Sequence, residues 1–352
     1  MASPPPTIST QIVRHIRDCL ELAGVPSAKL LDQYGIAPDE VDNRDHAVPL
    51  AAYVRFFEAA AETSGNQHFG MHAARLMGAD GLGPLSFLFL SAPSLGQAFQ
   101  TFTEHLDALQ ESTFNAFVID NKTSHFSYGI RDDVLTPRRQ DSEYSIGVMY
   151  NLTRRYLGGQ TAPVEVHFEH ERVGALSWYE SYFDCPVYFE QSQNRLYLSV
   201  DLLNRGSTAL STELFPIIAG HLKARMHGHS HSLTTVERVS DILISNAPDN
   251  LPSLEIVAKS LSCSRATLMR RLNAEGERFG NLVTERRIGH ARQLLTSSNR
   301  SIADIALACG YAEAASFTRS FQKQLGVAPA KWRKINSKLT SARRTAASRP
   351  TS

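Results

Sequence analysis

A duplication in the last third of the chain limits its folding options more than any other feature. Ile256-Val257-Ala258 leads to Ser264-Arg265-Ala266-Thr267-Leu268-Met269-Arg270-Arg271-Leu272. Further on, Ile305-Ala306 leads to Glu313-Ala314-Ala315-Ser316-Phe317-Thr318-Arg319-Ser320-Phe321. Leu268 matches Phe317, Arg270 matches Arg319 and Leu272 matches Phe321, each pair 49 residues apart. Both copies read as helix, short turn, helix. Between them Leu282-Val283, Arg287-Ile288, Ala291 and Leu294-Leu295 recur with helical period, which predicts a connecting helix that holds the two copies rigidly.

The expected helix ends carry recognisable signals. Ser253 and Ser264 are placed to cap the two helices of the first copy, and Glu255 sits in a first turn that favours negative charge. Ser301-Ile302-Ala303-Asp304 has the capping-box form, and Gly310 closes that helix. Within 265–273, Leu268 and Leu272 point inward. Ala266, Met269, Arg270 and Asn273 share another face, with Arg265 beside it. The major groove of DNA admits one helix, and an arginine on its outer face can bond a guanine bidentately. Arg270 and Arg319 are therefore the leading base-reading candidates, on recognition helices at about 264–273 and 313–322, with Arg265 and Arg271 placed for phosphate. One chain can then occupy two successive major grooves, ~34 Å apart.

Net charge at first argues against such a partner, since 36 Lys and Arg stand against 35 Asp and Glu. Resolved along the chain, residues 1–232 hold 17 basic and 26 acidic residues, while 233–352 hold 19 and 9. The balance is −9 followed by +10, an asymmetry that points the C-terminal part at a polyanion.

These residues resemble the AraC/XylS family of bacterial transcription regulators. The likeness is carried by Ile305-Ala306, Cys309-Gly310-Tyr311, Ser316-Phe317, Arg319, Phe321, Gly326-Val327-Ala328-Pro329 and Trp332-Arg333, and it covers about 234–334. It implies a seven-helix DNA-binding domain over 234–336. Arg265, Ala266, Met269 and Arg270, then Glu313, Ala314, Thr318 and Arg319, would be its DNA-facing residues. The alanines and Met269 offer apolar contact with thymine methyl groups.

The acidic part reads as α+β, so the chain is an α+β domain followed by an all-α domain with two helix-turn-helix units. Helices are expected near 8–23, 50–63, 67–77, 94–110, 138–157 and 211–226. Strands are expected at 114–119, 124–130, 164–168 and 194–200, with Asn121-Lys122 in a hairpin connection. Leu22-Ala23-Gly24, Val48-Pro49-Leu50, Gly81-Leu82-Gly83, Ser94-Leu95-Gly96-Gln97-Ala98 and Phe183-Asp184-Cys185-Pro186-Val187 are similar to the arabinose-binding-like sensor domain of one AraC subgroup. Coverage is about 10–205. The domains expected are a sensing and dimerising one at 1–226, a linker at 227–233, the DNA-binding one at 234–336 and a basic tail at 337–352.

Cys19, Cys185, Cys263 and Cys309 stand far apart with no C-x-x-C pair, which fits reduced thiols in a cytoplasmic compartment. The resemblance implies a ligand-responsive regulator, an activator. It would act as a homodimer on promoter DNA and contact RNA polymerase, with a small-molecule effector that the residues leave unnamed. Two aromatic runs, Trp178, Tyr179, Tyr182 and Phe183, then Tyr188 and Phe189, are weighed as an effector pocket against ordinary core. His221, His227, His229 and His231 are weighed as metal ligands against a solvated linker. No cofactor and no metal is expected, and no apolar stretch is long enough for a bilayer. The first residues lack the pattern of a secretory signal.

Two other readings stand beside this one. The first is a DNA-binding regulator controlled by a protein partner. The second is an alkylation-repair enzyme with AraC-like helices. The second needs a Pro-Cys-His-Arg nucleophile pattern, and Cys185 is followed instead by Pro186 and Val187. With no catalytic motif in view, the chain is not expected to be an enzyme.

Overall fold

The structure, a computed structural model, describes residues 5–335 except 44–45, 121, 132–134, 160–161, 227–233, 245 and 299. They fall into two units divided at residues 230 and 231. The first opens with β1 (Thr7–Ser9), α1 (Thr10–Leu22), α2 (Ala28–Gln33), α3 (Pro38–Asp42) and β2 (Ala47–Pro49). Helices α4 (Leu50–Ser64), α5 (Phe69–Leu76), α6 (Pro84–Ser91) and α7 (Leu95–His105) follow. Then come β3 (Thr113–Ile119), β4 (Thr123–Ile130), α8 (Arg139–Tyr156), β5 (Glu165–His167), α9 (Leu176–Phe183), β6 (Val187–Tyr188), β7 (Asn194–Ser199) and α10 (Leu214–Met226).

Strands β1 and β2 pair antiparallel through Ile8 and Val48. The larger sheet has the order β3-β4-β7-β5-β6, with only β5 and β6 parallel. The β3–β4 pairing runs to Ile119 and Ser124, so a hairpin closes where Asn121-Lys122 was expected, although Asn121 lies outside the described residues. Helix α8 is buried along most of its length, including the polar run Gln140, Asp141, Ser142 and Glu143. Its start is pressed against α5, where Gly70 donates its N–H to Gln140 Oε1 at 2.7 Å. A Cβ on Gly70 would lie 2.3 Å from the Gln140 carbonyl, so the approach requires glycine there.

Each expected helix and strand of this unit is present with small shifts at its ends. The helix expected to reach residue 110 stops at His105 and continues as a 3₁₀ turn over Leu106–Ala108. Four helices escaped sequence reading, α2, α3, α6 and α9. Helix α6 is the apolar run Leu85–Leu90, where Leu88 and Phe89 are fully buried. A helix apolar on nearly all sides carries no 3.6-residue period to detect.

The second unit holds α11 (Thr235–Ile244), α12 (Leu254–Ser260), α13 (Arg265–Ala274), α14 (Phe279–Ser297), α15 (Ile302–Ala308) and α16 (Ala314–Leu325). A final helix, α17, covers 329–335, which makes seven among the described residues. Two separate cores form here. One gathers Val239, Leu243, Val257, Ala258, Leu268, Leu272 and Leu282. The other gathers Ile288, Ala291, Leu294, Leu295, Ile305, Ala306, Cys309, Phe317 and Phe321. Helix α14 supplies Leu282 to the first and Ile288 through Leu295 to the second. Phe317 and Phe321 are fully buried, each worth about 1.5–3 kcal/mol against exposure.

Burial sets the register of the first helices of the two copies, with Val257-Ala258 opposite Ile305-Ala306. Ile256 is 57% exposed and Ile305 is fully buried, so Val257 is the true counterpart. The capping serines Ser253 and Ser301 agree with that register. The turn of the second copy is one residue longer, and this restores the spacing of 49 for Leu268 and Phe317.

Candidate nucleic-acid interface and a buried polar cavity

Helix α13 starts where Ser264 Oγ accepts the N–H of Thr267 at 3.2 Å. Leu268 and Leu272 anchor one side of it in the first core, which leaves Ala266, Met269, Arg270 and Asn273 exposed on the other. Arg265 and Arg271 are exposed as well. The Arg265 guanidinium reaches back to Glu255 on α12, Nη1 to Oε1 at 2.8 Å, with both side chains about three-fifths exposed at 62% and 59%.

Helix α16 is built on the same plan, anchored by Phe317 and Phe321, with Arg319 exposed. The Arg319 Nη2 donates to Ser316 Oγ one turn earlier at 3.3 Å. Glu313 is exposed at the N-cap. Ala314 is half-buried against the second core, and the exposed alanine is Ala315, the counterpart of Ala266. Thr318 is half-buried and its hydroxyl donates to the Ala314 carbonyl at 2.8 Å. Sequence reading missed Ala315 and Gln322, although a step of 49 residues from Ala266 and Asn273 reaches both.

The first unit contains a cavity of about 40 Å³. Its walls are Ile12, Leu82, Phe102, Phe126, Val148 and Met149, and its polar end is Gln110, Tyr128, Tyr53, Asp141 and Ser145. Tyr53 donates its hydroxyl proton to Asp141 Oδ1 at 3.1 Å, and Tyr128 donates to Oδ2 at 2.8 Å. Burial drives the Asp141 carboxyl up to about 6 while these two hydrogen bonds oppose the rise. Its place in the first turn of α8 also favours the ionised form. Asp141, Tyr144, Ser145, Val148 and Met149 all line this space. That spacing of i, i+3, i+4, i+7 and i+8 puts a carboxylate on the apolar stripe of an expected helix, a signal the sequence did carry.

The aromatic sets weighed as a pocket do not line the cavity. Tyr179, Tyr182 and Phe183 are buried core residues, while Trp178 and Phe189 pack against the same core. Tyr188 is 46% exposed. Among the described residues no cluster of three or more His, Cys, Asp or Glu is placed to hold a metal, and His227, His229 and His231 lie outside them. Burial pushes the thiols of Cys19, Cys185 and Cys309 up to about 12, the opposite of what a nucleophilic cysteine needs. No helix among the described residues is long and apolar enough to cross a membrane.

Comparison with known proteins accounts for both units. Residues 24–206 match the family described as the arabinose-binding domain of AraC transcription regulators, and residues 257–335 match a helix-turn-helix family. The transcriptional regulator VirS of Mycobacterium tuberculosis is 26% identical over 323 residues, covering 90% of this chain and 93% of VirS. The ornithine utilization regulator of Pseudomonas aeruginosa is 21% identical over 310 residues, covering 88% and 91%. Among solved structures, the regulator CdpR from Pseudomonas aeruginosa aligns over 87% of this chain and 97% of its own, with 22% identity and a TM-score of 0.43.

Proposed function

Since the chain belongs to the AraC family of DNA-binding transcription regulators, we propose that α13 and α16 are its two base-reading helices. Arg270 and Arg319 read bases, and Arg265 and Arg271 hold phosphate. Ala266, Met269, Glu313 and Thr318 complete the DNA face, joined by Ala315 beside Ala314. The observation that carries this reading is the placement of Arg270 and Arg319. They stand exposed at one position of a repeated fold, over two separate cores tied by α14.

Residues 1–226 form the sensing and dimerising domain on this reading, with the Asp141 cavity as the effector site. Residues 227–233 are the linker, 234–336 the DNA-binding domain, and 337–352 a basic tail that adds phosphate contacts. The protein works as a homodimer in the bacterial cytoplasm, activates transcription through RNA polymerase, and has no catalytic role. The effector acts by binding one state of the protein more tightly than another, so it must change operator affinity, oligomeric state or polymerase recruitment.

A gel shift on promoter fragments recovered by genome-wide footprinting tests the reading. Binding at least 10³-fold tighter than to random DNA is expected, with affinity falling steeply as salt rises. Equal binding to both DNAs would overturn it.

A further inference from the structure

At the polar end of the cavity Asp141 offers acceptor capacity only. Tyr53 and Tyr128 own one hydroxyl proton each, and both protons are spent on the two oxygens of Asp141. The Tyr128 oxygen already accepts from Gln110 Nε2 at 2.9 Å. A carboxylate offers about four lone-pair positions, and these contacts fill one on each oxygen. Asp141 therefore keeps acceptor capacity toward the cavity, and a guest that meets it must be a donor.

Charge points the same way. The Arg138 guanidinium binds Glu169 through Nε and Nη2 at 2.8 and 3.2 Å, and its Nη1 donates to the Ile130 carbonyl at 2.8 Å. Asp141, 2% exposed, accepts from two phenols and forms no ion pair among the described residues; the nearby Arg138 charge favours its ionised form less than those two hydrogen bonds do. A guest ammonium would neutralise a carboxylate that the fold has already desolvated. A guest carboxylate would set like charges side by side.

We propose that this cavity binds a short primary amine, its ammonium on Asp141 and its hydrocarbon among Phe102, Phe126, Val148 and Met149. The proposal rests on the reading of the first unit as the effector domain, and it gives that effector a chemical class. Size narrows the class further. The cavity's 40 Å³ corresponds to about three waters, at roughly 10–15 Å³ for each. Ethylammonium, with three heavy atoms, is of that size, and a long-chain amphiphile is not.

The test uses the full chain, with ethylammonium and acetate as probes at matched ionic strength. Saturation-transfer NMR and thermal melting are the readouts. Ethylammonium is expected to bind and raise Tm, and acetate to do neither. Asp141→Asn should weaken ethylammonium at least about tenfold, the scale of one charge-assisted hydrogen bond. Val148→Phe fills the cavity without touching the carboxylate and should also weaken it, so the outcome does not depend on how the Asn variant folds. Acetate binding as tightly as ethylammonium, or ethylammonium binding untouched by either substitution, overturns the proposal. Gel shifts with the same amine keep the two readings apart. An amine that binds while operator affinity stays fixed leaves this site standing and removes the effector reading. A different metabolite that shifts operator affinity, with no amine bound, removes this site and keeps the effector reading.

Discussion

Ser262 and Gly310 occupy the same position in the two helix-turn-helix copies, both in the left-handed region, with φ of 51° and 75°. Each follows a helix whose last carbonyls are closed in the same way. Ser262 N–H donates to Lys259 O and Cys263 N–H to Ala258 O, both at 3.0 Å. Gly310 N–H donates to Leu307 O and Tyr311 N–H to Ala306 O, both at 2.9 Å. This is the Schellman arrangement, which favours glycine at the left-handed position.

The first prediction concerns that pair. A non-glycine residue in this conformation costs roughly 1–2 kcal/mol, partly offset by the greater freedom of glycine in the unfolded chain. Ser262→Gly should therefore stabilise the second unit by about 0.5–1 kcal/mol in urea titrations. Gly310→Ala should destabilise it by about 1–3 kcal/mol. A Cβ there would lie 2.8 Å from Pro248 O and 3.0 Å from both the Asp249 Cα and Arg287 Nη2. Equal effects of the two substitutions would refute this account.

Arg270→Ala and Arg319→Ala should each cost roughly 1–3 kcal/mol of discrimination, at one base pair per arginine and at different base pairs. Competition binding against operators mutated position by position measures this. Affinity lost uniformly on every sequence would reassign that arginine to phosphate.

The ion pair between Arg265 and Glu255 holds the arginine away from solvent anions. Both groups are exposed, so the pair adds little to folding and gives way when a phosphate is offered. Glu255→Gln should give up only the modest helix-start charge and tighten DNA binding by about two- to fivefold at low salt, an advantage that salt erodes. Weaker binding by the glutamine variant would show that Glu255 orients Arg265 for DNA.

Asp141 gives a dependence on pH whose sign is fixed. Its folded value, raised to about 6 from 3.8, means that the native state holds the proton more tightly than the unfolded chain does. That stabilising share is complete below about pH 4 and is lost as pH rises through about 6. Asp141→Asn removes the ionisation, so its stability relative to the parent should improve between pH 4 and pH 7 by up to about 3 kcal/mol. Differential scanning calorimetry across that range checks it. The buried Glu58, raised to about 7 mainly by desolvation, titrates in the same range and is pushed up further by the Asp141 charge, so Asp141→Asn also eases its ionisation.

The second unit was legible because its constraints are local. Caps at Ser253, Ser264 and Ser301, the stop at Gly310 and the inward pairs Leu268/Leu272 and Phe317/Phe321 lie within one or two turns of what they control. The register of α12 against α15 is not given by residue type, since Ile256 and Val257 are both apolar, and only burial singles out Val257 as the partner of Ile305. In the first unit the cavity was not legible. Tyr53, Gln110, Tyr128 and Asp141 come from four stretches of chain joined only by tertiary packing. The aromatic density of Trp178–Phe183 drew attention instead, and there it serves the core.

Helix α14 belongs to both cores of the second unit, with no joint between Leu282 and Leu295. Helices α13 and α16 cannot be re-spaced without unpacking one of those cores. If both read bases as proposed, the operator must carry its two subsites at one set distance and one rotational phase. One inserted base pair between them moves the far subsite by about 3.4 Å and a tenth of a turn, and the protein has no slack with which to follow. During promoter evolution, single-nucleotide insertions and deletions between the subsites should be as damaging as the loss of a contacted base, whatever nucleotide is gained or lost.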